Sequence, residues 1–363
     1  MSDERPVEIR DDLRALPPYS APQVDAPVRL NTNESPWPPP EGLMKDLSER
    51  VSRLDLNRYP DREARALRDG LGARFSWPGE GVWVANGSNE ILQTLLLAFG
   101  GPGRKVLLFQ PTYAMHAHIA RVTATQIVER TVAEPWALDP EGVARAIGIE
   151  EPALTFICSP NNPTGTAQPL DVVRAALDAR RGLVVVDEAY AEFGGESGAP
   201  ILGRHDRLAI VRSFSKSWRL AGARIGYLLA HPWLIEAMQV VRLPYHVSAL
   251  TQACGEVAVR HAGAALSAVE EIVVERERLT KELQRVRAVE IFPSAANFLL
   301  IRTPMEGTKL WRALADRGVL VRDFSTLPTL ERCLRVTVGT GEQNARFVEA
   351  LRGVLADAAE EGR

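Results

Sequence analysis

No stretch of about 18 consecutive apolar residues occurs in this chain, so no segment suits a membrane-spanning helix. Positive charge is not in excess either: 43 Lys and Arg stand against 46 Asp and Glu, a formal net charge of −3. Broad binding to nucleic acid or to an acidic membrane surface wants a basic face, and this balance argues against both. Cysteine is scarce. Cys158, Cys254 and Cys333 are odd in number, far apart and mostly flanked by apolar residues, so they read as buried reduced thiols. The first residues, from Met1 to Arg5, lack the basic and apolar regions of a signal peptide; with the reduced thiols, this points to the cytoplasm. No C-x-x-C or H-E-x-x-H spacing is present, and a helix would point His116 and His118 to different sides, so no metal is expected and both histidines read as structural. No G-x-G-x-x-G follows a strand, and neither G-x-x-x-x-G-K-[ST] nor G-x-S-x-G occurs. Dinucleotide, P-loop and nucleophile-elbow readings therefore fail.

What is present is an ordinary globular composition, 45% hydrophobic and 25% charged over 363 residues. That length suggests two domains, or one large domain with an appendage. Residues 1–40 read as an extended arm, because Pro17, Pro18, Pro22, Pro27 and the cluster Pro36, Pro38, Pro39 and Pro40 oppose regular helix. Such an arm packs on its own body or on a partner subunit. From 41 to 250 helix and strand patterns alternate. Strands are expected at 82–85, 105–109, 126–129, 154–158, 183–186, 209–211 and 226–230, and helices at 60–75, 90–99 and 170–180, among others. Several strands are continuous apolar runs, as when helices cover both faces, so the fold class is α/β with a mainly parallel, doubly wound sheet. Residues 251–363 read as a smaller α+β unit: one long helical region at 251–287, strands at 298–301, 319–321 and 334–338, and helices at 307–317 and 342–357.

Ligands of open α/β sheets bind beyond the carboxyl ends of the strands, so the residues that follow each strand carry the chemistry. Gly87, Ser88 and Asn89 stand at a helix start, where free N–H groups suit a phosphate; an ordinary helix cap is the plain alternative. Tyr113 could offer a ring face to a planar ligand, or belong to the core. Ser159-Pro160-Asn161-Asn162-Pro163-Thr164-Gly165 is a constrained loop that presents an amide. Asp187, directly after four apolar residues, needs a cationic or donor partner unless it caps the next turn. Ser213-Phe214-Ser215-Lys216 puts a lysine in apolar company, with Arg224 eight residues on. Desolvation would make that amine a candidate nucleophile, and the hydroxyls with Arg224 could hold an anion beside it. A solvated lysine in a Ser-rich loop is the bland reading of this string alone. Together these strand ends would suit a planar cofactor with a phosphate and a pyridine nitrogen.

In order and separation, the Asn161-Asn162 loop, the run Asp187-Glu188-Ala189-Tyr190, and Ser213 to Lys216 with Arg224 resemble the signature set of fold-type I, pyridoxal-phosphate-dependent aminotransferases. Further stretches resemble those of histidinol-phosphate aminotransferases: Leu30 to Glu34, Arg58-Tyr59-Pro60-Asp61, Pro111-Thr112-Tyr113, Ser294 to Phe298, Val321-Arg322-Asp323 and Leu334 to Gly339. The resemblance spans about residues 13–350. It implies pyridoxal 5′-phosphate bonded to Lys216, Asp187 on the pyridine nitrogen, Asn162 and Tyr190 on the ring oxygen, and Tyr113 stacked on the ring. Ser88, Asn89, Ser213, Ser215 and Arg224 would hold the phosphate. It implies a homodimer in which Tyr59 reaches the neighbouring subunit's cofactor. Arg335 and Arg322 would read substrate anions, and Asn33 with Tyr19 of the partner's arm would complete the pocket. The implied reaction converts histidinol phosphate and 2-oxoglutarate to imidazole-acetol phosphate and glutamate, a step of histidine biosynthesis. An aromatic amino-acid aminotransferase and a threonine-phosphate decarboxylase are the rivals. Two departures stand out: Asn89 occupies a position commonly acidic in the family, and the string around Tyr245-His246 differs from the usual Pro-Tyr-Pro-rich version.

Overall fold

The computed structural model describes residues 7–14, 16, 24–179 and 182–361. After strand β1 (Val28–Arg29) come helices α1 (Glu41–Val51) and α2 (Arg65–Arg74), then β2 (Val82–Ala85), α3 (Ser88–Phe99), β3 (Lys105–Gln110), α4 (Ala114–Val122) and β4 (Gln126–Thr131). The alternation continues with α5 (Pro140–Glu150), β5 (Leu154–Cys158), α6 (Leu170–Asp178), β6 (Leu183–Asp187), β7 (Leu208–Ser213), β8 (Gly226–Ala230) and α7 (Pro232–Met238). These strands form one seven-stranded sheet in the order β2-β8-β7-β6-β5-β3-β4. Only β8 runs antiparallel to its neighbours. The strands expected at 82–85, 154–158 and 226–230 fall within those limits; the others run one to three residues longer.

Strand periodicity explains why these runs are continuously apolar. Val184 and Val186 point into one core, which holds Val143 and Ile147 of α5 and Val172 and Val173 of α6. Leu183 and Val185 point into the other, with Ile91 and Leu95 of α3 and Ala120 of α4. Both faces are thus buried, each Val or Leu stabilising the fold by roughly 1.5–3 kcal/mol. A polar residue on either face would lose that contribution.

The remaining elements are α8 (Ala249–Arg260), α9 (Ala262–Leu266), α10 (Ala268–Leu283), β9 (Glu290–Ile291), β10 (Phe298–Arg302), α11 (Gly307–Asp316), β11 (Val319–Leu320), β12 (Arg322–Asp323), β13 (Cys333–Thr337) and α12 (Gly341–Glu361). Strands β12-β13-β10-β9 form a second sheet. The arm joins this part of the chain: β1 pairs parallel with β11, and Val28 and Leu30 enter its core beside Leu299, Leu334 and Phe347.

Two helix expectations need correction. The region 251–287 is not one helix but three, and Arg219 supplies the physical reason for the break between α9 and α10. Its guanidinium donates to Ser267 Oγ and to the carbonyls of Ala264 and Ala265, two acceptors that a helix continuing from α9 into α10 would have used itself. The chain can therefore turn between α8, which packs on α1 and α2, and α10, which packs on α12. The helix expected from 60 starts at 65, because Asp61 accepts from the backbone N–H of Glu63 and Arg65 while Ala64 takes a left-handed conformation.

Candidate active site

The carboxyl ends of the parallel strands open onto a cavity of about 360 Å³. Thirteen of the sequence-predicted residues line it: Ser88, Asn89, Tyr113, Asn162, Asp187, Tyr190, Ser213, Ser215, Lys216, Arg224, Arg322, Arg335 and Asn33. Tyr59 lies apart from it, 80% exposed and stacked on Tyr245 with ring centroids 4.4 Å apart. Tyr19 lies outside the described residues.

At one end, β2 passes through Gly87 into α3. Gly87 is the N-cap in a left-handed conformation, and no side chain caps the helix, which leaves its first N–H groups directed at the cavity end. A Cβ on Gly87 would stand 2.5 Å from Arg224 Nη2, and one on Gly226 would stand 2.4 Å from the Gly87 backbone. Only glycines allow this approach of backbone and guanidinium. Arg224 donates to Ser215 Oγ at 3.2 Å, and Ser213 Oγ accepts from the Ser215 N–H at 3.1 Å. Backbone donors, two hydroxyls and a guanidinium therefore converge on one spot, a donor set fitted to a phosphate.

At the other end, Asp187 closes β6, buried to 3% exposure. One carboxylate oxygen accepts from the Ala189 N–H at 3.1 Å; the other lies 3.0 Å from His116 Nε2. His116 is the functional residue that sequence reasoning missed. It stands on α4, 71 positions away, fully buried and edge-on to Tyr113 and Phe156. Among the described residues its Nδ1 has no hydrogen-bond partner, so Nε2 is the nitrogen through which the ring pairs with Asp187. The run Pro111-Thr112-Tyr113 followed by a histidine three places on was the available signal; a helix-period argument would have put Tyr113 and His116 on one face.

Between the ends lies a chain of polar contacts. Asn33 Nδ2 and Asn162 Nδ2 both donate to the Tyr190 hydroxyl, at 2.9 and 3.5 Å. Burial raises that phenol to about 12, against the pull of Arg335 and Asn33. Arg335 donates to Asn162 Oδ1 and, at 2.8 Å, to the Asn31 carbonyl, and its guanidinium lies 5.2 Å from the rings of Phe298 and Phe324. Arg322 on β12 is the register partner of Arg335 on β13, which puts both guanidinium groups at the cavity. The loop at 161–165 is held by Asn161, which donates to the Pro111 carbonyl at 2.8 Å and to Thr164 Oγ1 at 2.9 Å. That leaves the neighbouring Asn162 to face the cavity. Tyr113 donates to Asn89 Oδ1 at 3.2 Å, so an amide serves there as the acceptor.

Lys216 stands between these ends. Its amine donates to the Thr32 carbonyl at 2.8 Å. Burial, with Arg335 and Arg224 nearby, lowers its pKa to about 8, opposed by Glu34. The solvated-lysine reading is thereby removed. One amine that loses its proton readily, one buried carboxylate, two hydrogen-bonded phenol and amide groups and a phosphate cradle fit pyridoxal 5′-phosphate. Each polar feature of that molecule would find a partner of the opposite kind among the residues that line the cavity.

The family model for class I and II aminotransferases matches residues 26–351. The histidinol-phosphate aminotransferase of Frankia casuarinae is 48% identical, covering 96% of this chain and 90% of that protein. That of Thermobifida fusca is 45% identical, covering 94% of each. Among solved structures, histidinol-phosphate aminotransferase from Sinorhizobium meliloti in complex with pyridoxal 5′-phosphate superposes with a TM-score of 0.87 at 23% identity, over 96% of this chain and 98% of that one. At that identity the likeness speaks for the fold, which is that of the fold-type I enzymes. By its sequence the chain belongs to the class I and II aminotransferases and, within them, to the histidinol-phosphate aminotransferase family.

Proposed function

We propose that this enzyme moves the amino group of histidinol phosphate to 2-oxoglutarate, giving imidazole-acetol phosphate and glutamate in histidine biosynthesis. The observation that carries this reading is the pairing of Arg322 with Arg335 at the cavity that holds Lys216. A guanidinium fork binds a carboxylate or a phosphate bidentately, and the two amino compounds of this reaction differ in that group. The cofactor is pyridoxal 5′-phosphate, which when bound supplies an electron sink for the bonds at the substrate Cα.

The chain's own residues would do the rest. Asp187, braced by His116, would keep the pyridine nitrogen protonated. Asn162 and Tyr190 would hold the ring oxygen as an anion, and the Tyr113 ring would cover one face. Ser88, Asn89, Ser213, Ser215 and Arg224 would grip the phosphate. Lys216 Nζ would bind the cofactor and, once the substrate amine takes its place, take the proton from the substrate Cα. Asn33, with Tyr19 of a partner's arm, would close the substrate side.

We also propose a homodimer in the cytoplasm, organised as an arm (1–40), a large cofactor-binding domain (41–250) and a small domain (251–363). Supporting the dimer is a face where Leu56, Tyr59, Val240 and Leu243 are 64–87% exposed. Burial of such a patch against a second copy would bring Tyr59 to the neighbour's phosphate. Among the described residues no helix is long and apolar enough to cross a membrane.

Single-turnover amine transfer from histidinol phosphate, phenylalanine and threonine phosphate tests the substrate. Histidinol phosphate should react fastest, and Arg322→Ala should slow it by roughly 10- to 100-fold more than phenylalanine. Faster reaction of phenylalanine, or release of carbon dioxide from threonine phosphate, would replace this reading with one of the rivals.

A further inference from the structure

Directly behind the cavity lies a buried ionic cluster for which the chemistry above has no use. Glu188, fully buried, follows Asp187; Arg212, 6% exposed, precedes Ser213. Side chains alternate along an extended chain, so Asp187 and Ser213 line the cavity while these neighbours point away from it. Glu188 Oε2 lies 2.6 Å from Arg212 Nη2, and its other oxygen accepts from the Gly198 N–H at 2.6 Å. Ser197 Oγ donates to Glu188 Oε2 and accepts from Arg212 Nη2, both at 2.9 Å. Arg212 Nη1 donates to Glu192 Oε1 at 2.8 Å, in the turn that follows Tyr190, and the guanidinium lies 5.4 Å from the Phe75 ring.

Two strand ends are thus tied together by the residues next to their functional groups, one after Asp187 and one before Ser213. The end of β6 carries Asp187 and leads to Tyr190, the residues for the pyridine side of the cofactor. The end of β7 carries Ser213 and leads to Ser215 and Lys216, the residues for its phosphate and aldehyde. We propose that Glu188 and Arg212 are a positioning pair that sets the separation between the pyridine anchor and the phosphate anchor. This rests on the reading of the cavity as a pyridoxal 5′-phosphate site. A buried ion pair is a poor way to gain stability, since desolvation offsets most of the attraction, and apolar residues of the same volume do as well or better. Its fork and fixed bond lengths do supply geometry, because a guanidinium bound at two nitrogens cannot slide along the strand.

The test separates geometry from stability. Full-length protein is stripped of cofactor and titrated with pyridoxal 5′-phosphate and with pyridoxal, which lacks the phosphate, while Tm is followed. Arg212→Met leaves Glu188 buried without its cation, so Tm should fall and the Kd for pyridoxal 5′-phosphate should rise by about tenfold or more. The double variant Glu188→Gln/Arg212→Met removes both charges and keeps an acceptor for Gly198. It should regain most of the lost Tm, with only the half-buried Glu192 left without its cation, while the cofactor stays weakly bound, and pyridoxal should lose less than the phosphorylated form, because only a two-ended ligand senses the separation. Should Arg212→Met fail to fold, Arg212→Lys keeps the charge without the fork and should show the same pattern more mildly. Recovery of wild-type Kd along with Tm in the double variant, or equal losses for the two ligands, overturns the proposal. Wild-type protein that binds no pyridoxal 5′-phosphate overturns the cofactor site itself, a different result.

Discussion

A lysine amine that donates to the Thr32 carbonyl, with Arg335 and Arg224 close by, gives up its proton more readily than one in water. Both burial and the guanidinium charges disfavour the ammonium form, so the direction is downward, to about 8. The consequence for reactivity is direct. In protein freed of cofactor, the rate of bond formation between Lys216 and added pyridoxal 5′-phosphate should rise with pH and level off above about 8. Stopped-flow absorbance measures it, and Arg335→Gln should move the midpoint upward. Stability has the matching sign. Below about 8 both folded and unfolded chains hold the proton and the cost of the buried ammonium is present; above it only the unfolded chain does, so stability rises toward the ordinary lysine value of 10.5. At this scale the residues that stand right after a strand were legible in the sequence, Lys216, Asp187 and Asn162 among them, because strand direction alone brings such positions to one edge. His116 was not, nor were the contacts between Asn33 and Tyr190, 157 positions apart, or Arg335 and Asn162, 173 apart. Those depend on how separate elements pack, which no local pattern encodes.

Among the elements, the strands were the most legible, since burial on both faces demands the unbroken apolar runs that mark them. Helix limits were less so. The break between α9 and α10 is written in Arg219, some forty residues earlier, a residue of left-handed backbone whose guanidinium donates to the carbonyls of Ala264 and Ala265. Arg219→Ala removes these donors and strains the left-handed residue little differently, so urea denaturation should show a loss of roughly 1–2 kcal/mol. Little change would mean that α9 turns for another reason. The arm is a second case. Its prolines announced an extended chain, but only the pairing of β1 with β11 shows why Asn31, Thr32 and Asn33 arrive at the cavity: the strand pairing fixes their register.

For the whole molecule, the exposed face with Tyr59 and Tyr245 is braced by Glu63, which accepts from Arg242 Nη2 at 2.7 Å and Nη1 at 3.2 Å. Hydrogen bonds from Arg242 hold that carboxyl down at about 2. Because the folded value lies below the ordinary 4.5, the stabilisation is complete above 4.5 and is lost as pH falls toward 2. Glu63→Gln should therefore cost roughly 1 kcal/mol at neutral pH after solvent screening and leave a flatter acid limb in the stability–pH curve. An unchanged curve would remove Glu63 from the acid response. The same face joins one subunit to the next in the proposed dimer, so the site's two halves and the assembly share this brace.

The active site turns on one bond, that between Lys216 and the cofactor. The chain has four other lysines, Lys45, Lys105, Lys281 and Lys309, none of which lines the cavity. Protein loaded with pyridoxal 5′-phosphate, reduced with borohydride and digested, should carry the cofactor's mass on the peptide with Lys216, and Lys216→Ala should carry none. Label on another lysine, or label that persists in Lys216→Ala, would contradict the assignment of this cavity as the site of amine transfer.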